Sequence, residues 1–167
     1  MDAAASRRIR QVKREIRVLG VAAKRGAGGF SIVGVVYRGG LWLDGVLRGS
    51  SASDDLTGSV AEMLVTSPHS GQARVILLSR GSLPEGAGVS IDELRAKTGK
   101  PVIMLGECEG TAFTWRNDGE TVVFSATGIS HWTAEGVLKA VTREGTVPEA
   151  LRVAGLILSA LPEERDA

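Results

Sequence analysis

The sequence predicts an α/β domain built on a mixed sheet flanked by helices, and two observations carry that prediction. The chain opens with three β-rich apolar segments separated by glycine turns, the pattern of an antiparallel meander. It then alternates capped helical stretches with short apolar runs, the pattern of parallel strands joined by helical crossovers.

The elements follow in order. Residues 1–12 are a polar, basic N-terminal tail, and residues 13–167 form a single domain with no repeat or linker. Ile16–Val21 is a short strand rich in β-branched residues, followed by a glycine turn over residues 25–29. Phe30–Tyr37 is almost wholly apolar, which suits a central strand buried on both faces. Gly39 and Gly40 supply a hairpin turn, and Leu41–Leu47 is its returning partner. Ser53 is placed as the N-cap of a helix from about Asp54 to Thr66, with Asp54 and Asp55 in the first turn, where the helix dipole favours acids. Ala73–Leu78 and Pro101–Leu105 read as buried strands. Between them lies a short helix opened by Ser90-Ile91-Asp92-Glu93 and closed by Gly99. Glu107–Glu120 is polar and turn-rich, and a strand follows at Thr121–Ser125. Thr133 is placed as the cap of a helix reaching about Glu144. Pro148 opens the last helix, with Val153, Ile157 and Leu161 on one face.

Composition limits the functions available. The 167 residues are 43% apolar and 23% charged, ordinary for a globular domain. A formal charge of +1 does not by itself call for a polyanionic partner. The distribution is less even: Arg7, Arg8, Arg10, Lys13, Arg14, Arg17, Lys24 and Arg25 face one acid, Glu15, across the same stretch. One cysteine, Cys108, excludes an internal disulfide and a zinc site made of several thiolates; it is expected as a small buried residue. No apolar run approaches the ~20 residues of a membrane span, so a cytoplasmic protein without a membrane partner is expected.

Several motifs are missing. The turn at 26–29 lacks the Gly-Lys-Ser/Thr of a phosphate loop, and no serine-hydrolase elbow is present. His69 and His131 stand far apart, with no second histidine at helical spacing. Trp42, Trp115 and Trp132 are expected as core or turn anchors, and at 4% aromatic content a stacking platform would have few members.

Four stretches, in the same order, resemble an archaeal family of uncharacterised proteins related to endonuclease V. They are Lys13–Gly20, Val33–Leu47, Thr98–Ile103 and Gly145–Ala154, the second being the most specific. The resemblance spans Lys13 to about Leu161. It implies a ribonuclease-H-like sheet and, for active members of the wider superfamily, metal-assisted phosphodiester cleavage. That chemistry needs clustered carboxylates, because Mg²⁺ takes hard oxygen ligands.

The resemblance places acids on the first strand, near the start of the first helix and at the end of the following strand. The first-strand motif of the relatives, Gly-Ile-Asp-Asp, corresponds here to Gly20-Val21-Ala22-Ala23. The acid after the strand Val75–Leu78 corresponds to Ser79, followed by Arg80. The helix position falls at Asp54, with Asp55 beside it.

Three readings follow. The first is a catalytically degenerate, cofactor-free module binding DNA or RNA through Arg14, Arg17, Lys24, Arg25 and Arg80. The second is an Mg²⁺- or Mn²⁺-dependent endonuclease whose reduced or relocated site draws on Asp54, Asp55, Asp44 and Glu107. The third is a structural or interaction subunit, such as a homodimer formed through an edge strand or the final helix. Binding or interaction ranks above catalysis.

Overall fold

The long apolar runs of the first strands are buried on both faces. In β1 (Arg17–Gly26), Val18 and Ala22 point to one side, and Leu19, Val21 and Ala23 to the other. β2 (Gly29–Arg38) does the same with Val33, Val35 and Tyr37 opposite Phe30, Ile32 and Val36. Alternation at a period of two therefore feeds two cores, one on each side of the sheet. The computed structural model describes residues 9, 11–107, 110 and 112–162; Arg7, Arg8, Arg10 and Cys108 lie outside the described residues.

Among the described residues the sheet has seven strands, in the order β3-β2-β1-β4-β5-β7-β6. β1, β2 and β3 (Trp42–Ser51) form the predicted antiparallel meander. β4 (Val75–Ser79) runs parallel to β1, and β5 (Val102–Leu105) parallel to β4. β7 (Glu120–Thr127) returns antiparallel to β5, and β6 (Phe113–Asn117) closes the far edge. Helices α1 (Leu56–Val65) and α2 (Ile91–Thr98) cover one face, and α3 (His131–Val141) and α4 (Glu149–Ala160) the other.

Several expectations need correction. Asp55, not Ser53, is the N-cap of α1, its carboxylate accepting from the Gly58 amide. Ser130 rather than Thr133 caps α3, which ends at Val141. The buried stripe of α4 is Ala150, Leu151, Ala154 and Leu158; Val153, Ile157 and Leu161 only flank it. Within the stretch taken as turn-rich lies β6, joined to β7 by Asp118 (φ 52°) and Gly119 (φ 76°). Paired positive φ angles suit the twist of a tight hairpin, and Asp-Gly is their usual sequence. As an edge strand β6 carries exposed Thr114 and Arg116 between inward residues, which hid it among polar neighbours. Of the three tryptophans only Trp115 is buried, whereas Trp42 is 49% and Trp132 73% exposed.

Two contacts fix the helical face. A Cβ added at Gly20 would lie 2.5 Å from the Ala150 carbonyl carbon, so the first turn of α4 rests directly on the β1 backbone. Glu149, almost wholly buried at that turn, receives two hydrogen bonds from Arg152, at 2.9 and 2.7 Å. These bonds outweigh the opposing push of burial and, helped by Arg152 and Arg143 charge, hold its carboxyl below the usual value. At the other edge Asp44 is clamped by Arg17 (2.9 Å) and Arg38 (3.1 Å). Burial raises the Asp44 pKa, but the two arginines together prevail and lower it.

Gly20→Ala is expected to cost about 1–3 kcal/mol through overpacking against α4. Gly28→Ala, where an added Cβ meets nothing within 4 Å, is the neutral control. Parallel urea melts check the difference. Because Asp44 and Glu149 have depressed folded-state values, their contribution is complete above the unfolded carboxylate range of about 4 and is lost as pH falls through the lower folded values. Stability should therefore drop on acidification below about pH 4, and Glu149→Gln should show a shallower drop when thermal melts are compared across pH.

Candidate functional site

In open α/β sheets, ligands gather beyond the carboxyl ends of the parallel strands. Here that edge is formed by the ends of β1, β4 and β5. Ala22 is 1% exposed, paired with Val33 in the β1–β2 ladder, and packed into the core beneath α3 and α4. Ser79 ends β4 and starts a single 3₁₀ turn over Arg80–Ser82. Its hydroxyl accepts from the Gly81 amide at 3.2 Å, and its own amide donates to Ser82 Oγ at 3.2 Å. Ser82 Oγ lies 2.9 Å from the carbonyls of both Val21 and Ser79, which share its one hydroxyl proton. A reciprocal serine box thus ties the end of β4 to β1. Ser82 went unnoticed in sequence, although a serine three residues after Ser79 is the spacing of such a box.

Arg80 crosses this edge. Its Nε donates to the Glu107 carbonyl at 2.9 Å, and its side-chain stem lies over Gly106. The Glu107 side chain itself is exposed. Asp54 is 97% exposed and pairs loosely with Arg25, at 3.6 Å. Asp55 is committed to capping α1, yet it shares with Arg80 a cleft of about 950 Å³. The cleft is walled by the loop from Leu83 to Ser90, whose last residue donates its amide to Thr57 Oγ1.

These residues do not fit a divalent cation. Mg²⁺ requires near-octahedral oxygen ligands. The edge offers a methyl group at 22, a hydroxyl already engaged at 79, and a guanidinium at 80. Among the described residues no group of three His, Cys, Asp or Glu side chains is placed to share a metal ion.

The other predicted residues divide between two ends of the sheet. Arg17 and Arg25 stand eight positions apart on one strand, about 26 Å at normal strand rise. Asp44 belongs with Arg17 at the end remote from Ser79, and its carboxylate is taken by two arginines, so it cannot join Asp54 in a relocated metal site. Arg14 also lies at that remote end, beside the β2–β3 turn, where its carbonyl approaches Gly39. Lys24 is engaged structurally: Nζ donates to the carbonyls of Leu158 (3.1 Å) and Leu161 (3.3 Å), closing the carboxyl end of α4. Arg25 stacks over Phe30, 4.8 Å from the ring centre, beside a hollow of about 450 Å³ under the β1–β2 turn. Of the five predicted cations, Arg25 and Arg80 remain as exposed charges at the carboxyl edge. No helix among the described residues is long and apolar enough to cross a membrane.

No family model matches the chain. It is 31% identical over 182 residues to a UPF0215 protein of Methanothermobacter thermautotrophicus, covering 90% of this chain and 89% of that one. It is 31% identical to a UPF0215 protein of Methanosarcina mazei, with 90% and 92% covered. It is 32% identical to one of Methanopyrus kandleri, with 90% and 93% covered. In fold it resembles a protein of unknown function from Archaeoglobus fulgidus, with TM-score 0.71 at 21% identity over 86% of this chain and 96% of that one. It also resembles endonuclease V from Bacillus subtilis, with TM-score 0.55 at 12% identity over 84% and 77%. The mixed seven-stranded sheet flanked by four helices is thus an endonuclease V-like fold, and the chain belongs to the UPF0215 family.

Proposed function

We propose that this chain uses an endonuclease V-like fold to bind nucleic acid without cleaving it. One observation supports the reading above the others. The sheet edge that would need carboxylates for metal-assisted hydrolysis presents Ala22, an internally bonded Ser79 and the exposed guanidinium groups of Arg80 and Arg25. Exposed arginines attract phosphate, and although Asp55, Glu85, Asp92 and Glu93 line the cleft beside Arg80, no group of three acids, histidines or cysteines among the described residues is placed to hold a metal. Asp54 and Asp55 do not restore such a group, since the first faces solvent and the second caps a helix.

The test is a binding titration of labelled single- and double-stranded DNA and RNA across a salt series, beside incubation with Mg²⁺ or Mn²⁺. Salt-sensitive binding with intact deoxyinosine-containing DNA and inosine-containing RNA is the expected result. Metal-dependent cleavage that disappears in Asp54→Ala would establish the nuclease reading in its place.

Reintroducing an acid should fail for a packing reason. Ala22→Asp would bury a carboxylate in the packed core beneath α4, costing on the order of 3 kcal/mol or more. Its melting temperature should fall and should not recover in Mn²⁺; recovery would show that a metal site lies one substitution away.

A further inference from the structure

A second surface, where α3 borders β6 on one side and the β2–β3 turn on the other, combines aromatic rings and cations. Two adjoining hollows, of about 330 and 720 Å³, share Gly136 and Lys139. Trp132 and Arg116 line the first, and Trp42, Arg14 and Arg143 line the second. Along α3, Trp132, Gly136 and Lys139 succeed one another at steps of four and three, which puts them on one stripe, and Arg143 lies just past the end of the helix. Gly136 has no side chain, and Val12 packs over it, 3.2 Å from where a Cβ would be, so the floor is apolar.

Both indoles are exposed yet held. His131 stacks on Phe113 at 4.4 Å and 6°, and Trp132 leans on His131 at 4.3 Å. The Arg38 guanidinium, anchored by Asp44, lies 6.0 Å from the Trp42 ring centre. Arg14, Arg116, Lys139 and Arg143 are all exposed, and none forms an ion pair among the described residues, though Arg143 is near enough to Glu149 to lower its pKa. Glu135 is the one acid among the described residues that line either hollow.

We infer that this groove binds single-stranded nucleic acid, with bases stacked on Trp42 and Trp132 and phosphates held by Arg14, Arg116, Lys139 and Arg143. Exposed indoles waste apolar surface unless a flat partner covers them, and the cations around them select an anionic one. A base joined to phosphates meets both demands, whereas a duplex hides its base faces. The inference rests on the nucleic-acid reading but moves the principal contact away from the carboxyl edge.

Tryptophan emission and anisotropy of a labelled single-stranded oligonucleotide, with a duplex of the same sequence, test it in the full chain. Saturable quenching by the single strand is expected, with weaker binding of the duplex. Trp132→Ala and Arg143→Glu should each weaken binding about tenfold or more, while Arg48→Glu and Arg74→Glu, exposed cations that line neither surface, change it less than about twofold. All four positions are exposed, and circular dichroism checks that each variant is folded. If Arg25→Glu or Arg80→Glu removes binding and Trp132→Ala and Arg143→Glu do not, the groove is overturned and the nucleic-acid reading stands. Charge reversals that act while Trp132→Ala does not would reduce the surface to unspecific attraction and overturn stacking. Burial of both indoles in a dimer seen by light scattering would overturn it in favour of a second copy. Absence of binding to any strand overturns both readings together.

Discussion

The close contact between α4 and β1 is the constraint on which most of the structure depends. At Gly20 the helix backbone approaches so near that no side chain fits beneath Ala150. Four residues further along β1, Lys24 reaches the carbonyls of Leu158 and Leu161 at the other end of the same helix. Four strand residues advance about 13 Å and eight helical residues about 12 Å, so α4 lies along β1 and is held at both ends. Ala22 sits between those two ties and shares the core with Ala154 and Leu158. The small residues at 20 and 22 are therefore conditions for this packing, and a larger or charged side chain at 22 would displace the last helix.

That helix also engages one of the more suggestive cations in the sequence. Lys24 stands in a basic run and near the sheet edge, which invites a phosphate-binding reading. Its ammonium instead satisfies the last carbonyls of α4, as a lysine near a helix carboxyl terminus often does. Arg17 is diverted in the same way by Asp44. Sequence proximity placed Arg17 and Arg25 in one cluster. Extended backbone separates them by the length of the strand.

The fold was legible because its signals are local. Apolar runs at period two, glycine turns and Ser90 or Pro148 at helix starts each act over a few residues, and each is present. The β6–β7 hairpin was hidden because an edge strand shows water half of its residues, and the Asp118-Gly119 turn that marks it lay inside a polar stretch. The candidate site was legible only in part. Which positions lacked acids could be read from the order of residues; that Ser79 is engaged by Ser82, or that Asp55 is a cap, depends on backbone geometry at the strand and helix ends. The exposure of Trp42 and Trp132 was misjudged for a related reason, since large aromatics are buried on average and only the surrounding packing decides an individual case.

The two ends of the sheet have accordingly taken different chemical characters. At the carboxyl edge, serine hydroxyls are turned inward to finish strand and turn, while Arg80, Arg25 and its partner Asp54 stay exposed. At the opposite end and over α3, the Asp44 clamp and the His131 stack stiffen exposed indoles. Stiffness has a physical use there, because an aromatic ring already fixed in place loses little conformational freedom when it stacks on a partner. On the proposed reading, recognition of a polyanion asks only that cations and rings be carried on elements that the core holds rigid. In this chain that element is α3, buried through Ala134, Val137, Leu138 and Val141 while its outer stripe faces solvent.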